Sequence, residues 1–115
     1  MIISFACQDI DFKDLLRCSF QLNKTEYNVM MFLLKTGKSF TASKLAEVMN
    51  LDRTTVQKAI KKLADKEIVI RSQENLEKGG YIYHYKIYNK EAIKERMLSI
   101  VNKWHEAVVE EIKRW

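Results

Sequence analysis

The stretch that decides the fold covers residues 41–63 and reads TASKLAEVMNLDRTTVQKAIKKL. It contains two amphipathic segments, one from Ala42 to Met49 and one from Arg53 to about Lys66. Thr41 and Asp52 are residue types that cap helix N-termini. Asn50, between the segments, tolerates the left-handed backbone of a tight turn. The pattern therefore predicts two short helices joined by a tight turn.

Each of these helices has a predicted buried side, and the second also has a basic side. Apolar residues recur at three- and four-residue spacing, which is typical of helices packed on a core. The Arg53 to Ala64 stretch carries four positive charges and no negative charge. The residues predicted to face inward are Leu45, Ala46, Val48 and Met49 in the first helix, and Val56, Ala59, Ile60 and Leu63 in the second.

The residues that precede this stretch predict two more helices. Periodic apolar residues indicate a short amphipathic helix from Asp11 to Phe20. Asn23 and Glu26 have the spacing of a capping box, so a second helix begins there. Gly37 stands where a left-handed residue ends a helix. Residues 1–7 are predicted to form a short strand or an arm.

The residues that follow predict a β-hairpin and a long helix. The segments from Ile68 to Gln73 and from Tyr81 to Tyr88 are rich in β-branched and aromatic residues, and a polar turn joins them. Phe40 is a candidate for a very short additional strand. We therefore predict an α+β, mainly α fold: a winged helix-turn-helix domain over residues 1–89, with a two- or three-stranded wing, and a C-terminal dimerisation helix over residues 90–115.

In a winged helix-turn-helix, the second helix of the motif, here the one that begins at Arg53, projects from the core and fits a DNA major groove about 12 Å wide. Arg, Gln and Thr side chains near its start could read base edges, and its lysines suit phosphates. The alternative is that this basic side is only a solvated helix face; the turn, the preceding helix and the hairpin favour DNA. The predicted DNA-binding residues are Thr41, Ser43, Lys44, Arg53, Thr54, Thr55, Gln57, Lys58, Lys61, Lys62, Arg71, Lys78, Gly79 and Gly80.

Two features of the hairpin leave alternatives open. Tyr81, Tyr83 and Tyr85 alternate onto one face, where they either pack the sheet against helices or offer a stacking platform for single-stranded nucleic acid. Lys78, near the tip, either meets a phosphate or is an exposed solubilising lysine. His84 is expected on a strand surface and not at a metal.

The C-terminal helix has an apolar stripe that a small core cannot cover. Leaving its tryptophans in water would be costly, and pairing with a second copy about a twofold axis would bury them. The alternative is that the helix folds back on its own core. Its six basic and five acidic residues nearly balance, so it is not itself expected to bind DNA. The predicted dimer interface comprises Ile93, Met97, Ile100, Val101, Trp104, Val108, Ile112 and Trp115.

Composition limits the remaining functions. A net charge of +5 is compatible with a nucleic-acid partner without selecting it. We see no catalytic triad, phosphate loop or metal cluster, and therefore expect no enzyme activity, cofactor or metal. Cys7 and Cys18 fit no metal spacing and are expected to be buried or half-buried thiols in a reducing cytoplasm, with redox sensing as the alternative. No segment approaches the length of about 20 apolar residues that a membrane span needs, so a cytoplasmic location is expected.

The stretch FTASKLAEVMNLDRTTVQKAIKKLADKEIVIR, residues 40–71, resembles the MarR and TrmB-like families of winged-helix regulators. The segment GGYIYHYKIYNKEAIKERM, residues 79–97, resembles archaeal TrmB-like regulators more closely. The resemblance implies a dimeric transcription factor with Arg53 to Lys62 at double-stranded DNA, and it leaves room for a small-molecule effector. Asn50 departs from the glycine that these turns usually carry. A winged helix that serves as a protein–protein module is the alternative function.

Overall fold

Five helices and two β-hairpins make up the computed structural model, which describes residues 1–115. By chain contacts they fall into two compact units, Asn23–Lys90 and a second one formed by Met1–Leu22 with Glu91–Trp115. The elements are β1 (Ile2–Phe5), β2 (Gln8–Asp11), α1 (Phe12–Phe20), α2 (Lys24–Thr36), α3 (Ala42–Met49), α4 (Arg53–Asp65), β3 (Val69–Asn75), β4 (Tyr81–Ile87) and α5 (Lys90–Arg114).

In the Asn23–Lys90 unit, α2 and α3 both pack against α4. The predicted apolar side of α4 is buried in full, and this orientation turns the opposite side of the helix to solvent. In α3 only Leu45 and Ala46 are buried. Val48, which the sequence predicts inward, is 44% exposed. The core side chains are Val29, Met30, Leu33, Leu45, Val56, Ala59, Ile60, Leu63, Ile68 and Val69.

The connection between α3 and α4 has the predicted chemistry. Asn50 adopts the left-handed conformation at φ 55°, and its backbone N–H donates to the carbonyls of Ala46 and Glu47. The Asp52 carboxylate accepts a 2.7 Å hydrogen bond from the Thr55 backbone N–H and so caps α4. Thr41 caps α3 in the same way. These local interactions hold the two helices of the helix-turn-helix at their junction.

The wing is the antiparallel hairpin of β3 and β4, whose pairing runs from Val69 opposite Ile87 to Asn75 opposite Tyr81. Phe40 adds a third, single-residue strand. Its N–H donates to the Tyr85 carbonyl at 2.9 Å, and it accepts from the Tyr85 N–H at 2.7 Å. The base of the wing is therefore three-stranded. The fold is a winged helix-turn-helix with a long C-terminal helix, as the sequence predicts.

The start of α2 is fixed by the predicted capping box. Glu26 N–H donates to Asn23 Oδ1 at 2.7 Å, and Asn23 N–H donates to Glu26 Oε1 at 3.1 Å. Glu26 is only 7% exposed, and the Lys66 ammonium lies 3.9 Å from its carboxylate. A buried carboxylate is costly without partners. Glu26 thus joins the first turn of α2 to the end of α4.

The second unit contains the hairpin of β1 and β2, followed by α1 and α5. The antiparallel strands pair from Ile2 opposite Asp11 to Phe5 opposite Gln8. Ala6, in the two-residue turn, has a φ of 48°. The sequence prediction of an isolated strand or arm was incomplete, because Gln8–Asp11 supplies its partner strand. Asp11 caps α1, and Phe20 of α1 lies 5.2 Å from the Arg96 guanidinium of α5.

Candidate nucleic-acid interface

The solvent side of α4 presents a row of polar and basic side chains. Val56, Ala59, Ile60 and Leu63 anchor the helix to the core. With 3.6 residues per turn, the residues between these anchors must point away from the core. Apart from Asp65 at the end of the helix, the exposed side chains are Arg53, Thr54, Gln57, Lys58, Lys61 and Lys62. We call this set the α4 face.

The four cations of the α4 face are not neutralised by the protein itself. Neither Arg53 nor the three lysines form a salt bridge, in contrast to Lys44, whose Nζ lies 3.6 Å from a Glu47 oxygen. Unpaired lysines and arginines on one helix face are the chemistry that binds phosphates. The α4 face can therefore take up several phosphate groups without first breaking internal ion pairs.

Asp52 is the one carboxylate at the start of this face, and it is committed to the backbone of α4. Hydrogen bonds from the Thr55 hydroxyl and then from the Thr55 N–H, both at 2.7 Å, lower the pKa of Asp52, with a smaller contribution from Lys58. Thr55 is half-buried, and its hydroxyl donates to Asp52. Thr55 therefore acts as a cap partner in this structure, and its predicted contact with DNA stays a prediction.

Beside the α4 face runs a groove of about 500 Å³. One wall is the middle and end of α4, including Lys58, Lys61, Lys62 and Asp65; the other is the first turn of α2, including Thr25 and Glu26. The sequence prediction omitted Thr25, because only the packing of α2 against α4 brings that turn beside the lysines. The capping box at Asn23 was the available signal for a helix start at this point.

The predicted wing residues lie where the hairpin meets solvent. Lys78 is exposed at the tip, and Gly79 and Gly80 have φ values of 92° and 81°, which glycine adopts without strain. Arg71, on β3, is exposed, and its guanidinium lies 4.0 Å from the centroid of the Tyr83 ring. In α3, Ser43 and Lys44 are exposed near Thr41. The α4 face, the first turn of α3 and the wing thus belong to one compact unit.

The excess positive charge of the chain is concentrated in this unit. Residues 23–90 contain 13 basic and 7 acidic side chains, for a net charge of +6. Residues 1–22 and 91–115 together contain 7 basic and 8 acidic side chains, for a net charge of −1. Such an asymmetry assigns any electrostatic attraction for a polyanion to the winged unit.

The predicted stripe on α5 is largely uncovered in the single chain. Ile100, Trp104, Val108, Ile112 and Trp115 are exposed, while Met97 and Val101 are half-buried. Ile93 differs: it is 6% exposed, so its side chain is unavailable to a second copy. Leu98, at 61% exposed, adds an apolar residue that the sequence prediction omitted.

The presence or absence of metal-binding clusters, paired cysteines and membrane-spanning helices also bears on function. No group of three His, Cys, Asp or Glu side chains is arranged to hold a metal ion. Cys7 and Cys18 are free and exposed, so the prediction that these thiols are buried or half-buried was wrong. None of the five helices combines the length and the apolar character that crossing a lipid bilayer requires.

Comparison with known proteins identifies the family. The sequence profile of the DnaD N-terminal domain matches residues 13–108. The chain belongs to the DnaD N-terminal domain family. An uncharacterized protein of Methanocaldococcus jannaschii is 31% identical to it over 115 residues, which cover all of this chain and 83% of the relative.

Solved structures relate this DnaD N-terminal domain protein to winged-helix regulators. A protein of Methanosarcina mazei Go1, described as a possible transcriptional regulator, is 39% identical, with coverage of 100% of this chain and 97% of that chain and a TM-score of 0.91. A protein of Enterococcus faecalis V583 assigned to the MarR family is 14% identical, with 89% coverage of each chain and a TM-score of 0.55, a likeness of fold alone. The predicted resemblance to winged-helix transcriptional regulators is confirmed, and these relatives are described as regulators, not as enzymes.

Proposed function

We propose that this protein is a dimeric transcriptional regulator that binds double-stranded DNA with α4 in the major groove. The single observation that carries the proposal is the α4 face, whose four cations are exposed and unpaired. Arg53, Thr54 and Gln57, near the helix start, would contact base edges. Lys58, Lys61 and Lys62 would contact phosphates, which supply affinity without reading sequence.

The wing and α3 would extend the contact to flanking DNA. Lys78, Gly79 and Gly80 at the wing tip, with Arg71 on β3, would lie along the adjacent backbone or minor groove. Ser43 and Lys44 at the start of α3 would contact the backbone on the other side of α4. Thr41 and Thr55 would contribute through the helix caps that they form. Thr25 would join the phosphate contacts from the groove beside α4.

The dimer would form through α5. Trp104 is 59% exposed, and it lies on an apolar stripe that continues to the last residue of the chain. A monomer rarely leaves such a stripe in water. A twofold axis would bury the same stripe on both copies, from Met97 to Trp115, without Ile93. Two α4 helices about 34 Å apart would then read half-sites one helical turn apart.

The same winged helix could instead serve as a protein–protein module. Reversing the charge of lysines on the α4 face distinguishes the two functions, because only DNA binding depends on those cations. We expect the wild type to bind a random-sequence duplex in a fluorescence anisotropy titration at low salt, and to have a mass in sedimentation twice the 13.6 kDa of the chain. Lys58→Glu with Lys61→Glu should abolish duplex binding and leave the mass unchanged. Absence of duplex binding by the folded wild type at low salt would refute the proposal.

Two further predictions are retained as part of the proposal. The regulator would be cytoplasmic, and it would respond to a small-molecule effector, to which no site is assigned.

A further inference from the structure

The wing has two faces of different chemistry. Because side chains alternate along a strand, Arg71, Gln73 and Asn75 of β3 share one face with Tyr81, Tyr83 and Tyr85 of β4. We call these six residues the aromatic face. The opposite face contains Glu74 and His84, whose side chains lie 3.4 Å apart. The aromatic face contains no carboxylate, and its one charge is that of Arg71.

Three side chains of the aromatic face, Arg71, Tyr83 and Tyr81, contact one another in a row. The Arg71 guanidinium lies 4.0 Å from the Tyr83 centroid, and the Tyr81 and Tyr83 rings are 5.2 Å apart with a tilt of 60°. The Gln73 amide donates to Asn75 Oδ1 at 2.9 Å. Arginine stacked on an aromatic ring, with amide groups alongside, leaves both stacking and hydrogen-bonding groups at one surface.

Packing of the wing against the helices does not account for Tyr81. Tyr85 is half-buried at the base of the wing, where it pairs with Phe40. Tyr83 is half-buried between Arg71 and Tyr81. Tyr81 is 55% exposed at the far end of the row. Its ring therefore offers an open aromatic surface that no core residue covers.

We propose that the aromatic face binds unpaired nucleobases of single-stranded nucleic acid, with Tyr81 as the stacking platform. A base inside a duplex is already stacked on both sides, so away from the duplex ends an exposed tyrosine can stack only on a base that has left the helix. The Arg71 guanidinium supplies the positive charge for the neighbouring phosphate, and the Gln73 and Asn75 amides can hydrogen bond to base edges. Stacking rings beside a cation are the chemistry that binds single strands with little sequence preference.

The test is an anisotropy titration of the full chain with labelled 12-nucleotide oligothymidylate at low salt. Tyr81→Ala should weaken binding about tenfold, the size of one base–aromatic stack. Tyr81→Phe, which keeps the ring, should bind within twofold of the wild type. Tyr88→Ala is the matched control, because Tyr88 is also about half exposed, at 57%, but lies beyond the aromatic face; it too should bind within twofold. Circular dichroism checks that each variant is folded.

Two further oligomers separate base stacking from general attraction to phosphates. On an abasic 12-mer the Tyr81→Ala effect should vanish, since no base is present to stack. Oligouridylate tests whether the bases come from RNA. Equal affinity of the wild type for oligouridylate and oligothymidylate indicates that stacking does not depend on the sugar, and a higher affinity for one of them identifies RNA or DNA as the natural source. Equal binding of oligothymidylate by the wild type and Tyr81→Ala, or equal wild-type affinity for the abasic strand, would overturn the inference.

A duplex titration keeps this inference separate from the proposed duplex binding. Tyr81→Ala should leave duplex affinity within twofold. If the wild type binds duplex but not oligothymidylate, the aromatic-face proposal fails and the α4 proposal stands. If it binds oligothymidylate but not duplex, the α4 proposal fails and the aromatic-face proposal stands.

Discussion

Replacing Lys58 and Lys61 by glutamine should flatten the salt dependence of duplex binding by an amount that can be worked out. Both lysines are exposed, and neither forms an ion pair, so each is free to neutralise one phosphate. A dimer would lose four such contacts. At about 0.9 per phosphate, the slope of log affinity against log salt should become shallower by about 3.6. Between about 50 and 200 mM salt, the loss of affinity of the variant should then be roughly 150-fold smaller than that of the wild type.

The assay is fluorescence anisotropy with one duplex at several salt concentrations. The control is Lys103→Gln with Lys113→Gln, which removes the same charge from exposed positions of α5 outside the apolar stripe; Lys113, unlike Lys58 and Lys61, lies 3.8 Å from a Glu110 oxygen. Glutamine has nearly the helix propensity of lysine, so both double variants should stay folded. The control slope should remain within about 0.5 of the wild-type slope, because neither lysine belongs to the α4 face and neither would neutralise a phosphate there. Equal slopes for the wild type and Lys58→Gln with Lys61→Gln, or equal flattening by the control, would refute the assignment of these lysines to phosphates.

Three other predictions follow from local contacts. Glu26→Ala should lower the free energy of unfolding, measured in urea, by about 1–2 kcal/mol, because it removes half of the capping box. Glu26→Gln should lower it less, because glutamine can still accept a hydrogen bond from the Asn23 N–H. Equal losses for the two variants would contradict the role of the capping box. Because the folded pKa of Asp52 lies below its ordinary value of 3.8, its stabilising contribution is present above pH 3.8 and is lost as the pH falls through the folded value. Urea unfolding at a series of acidic pH values should therefore show a smaller acid-induced loss for Asp52→Asn than for the wild type, and identical pH profiles would count against the role of the cap. Trp104→Ala should raise the dimer dissociation constant measured by sedimentation at least about 30-fold, the loss expected for a buried aromatic residue at the centre of an interface. An unchanged dissociation constant would exclude α5 as the dimer interface.

The parts of the fold that could be predicted from the sequence are those with local causes. Asn50 and Asp52 specify the turn through their own backbone and side-chain hydrogen bonds. The four apolar residues of α4 repeat over about two turns, which is long enough to define one buried face and, by exclusion, the α4 face. The capping box and Gly37 likewise mark both ends of α2 from neighbouring residues alone.

The rest depends on contacts that the local pattern does not contain. The β1–β2 hairpin turns at Ala6 and Cys7, which lack the Gly, Asn or Asp signal of a two-residue turn. In the eight-residue helix α3, periodicity could not distinguish exposed Val48 from buried Leu45. Ile93 continues the α5 stripe in sequence, yet it is buried within the single chain. The ion pair between Glu26 and Lys66 arises only when α2 packs beside the end of α4.

The residues of the candidate site also divide into those whose position follows from the local sequence and those whose position depends on contacts made in the folded chain. The exposure of the α4 lysines followed from the helical period, since each is offset from the buried stripe. The role of Thr55 did not, because a threonine in the first turn suits either a base contact or a cap partner. The 2.7 Å bond to Asp52 assigns it to the cap in this structure. The contacts of Tyr81, Tyr83 and Arg71 required the strand register, which the polar wing tip does not reveal.

Methylation interference on a duplex selected from a random-sequence pool tests the position of α4 most directly. Methyl groups on guanine N7 project into the major groove, where the base-reading residues of α4 would lie. Methylation should block binding at two clusters of guanines about 10 base pairs apart, one for each copy of α4. Selection that yields no preferred sequence, or a selected site at which guanine N7 methylation leaves affinity unchanged, would contradict that position of α4.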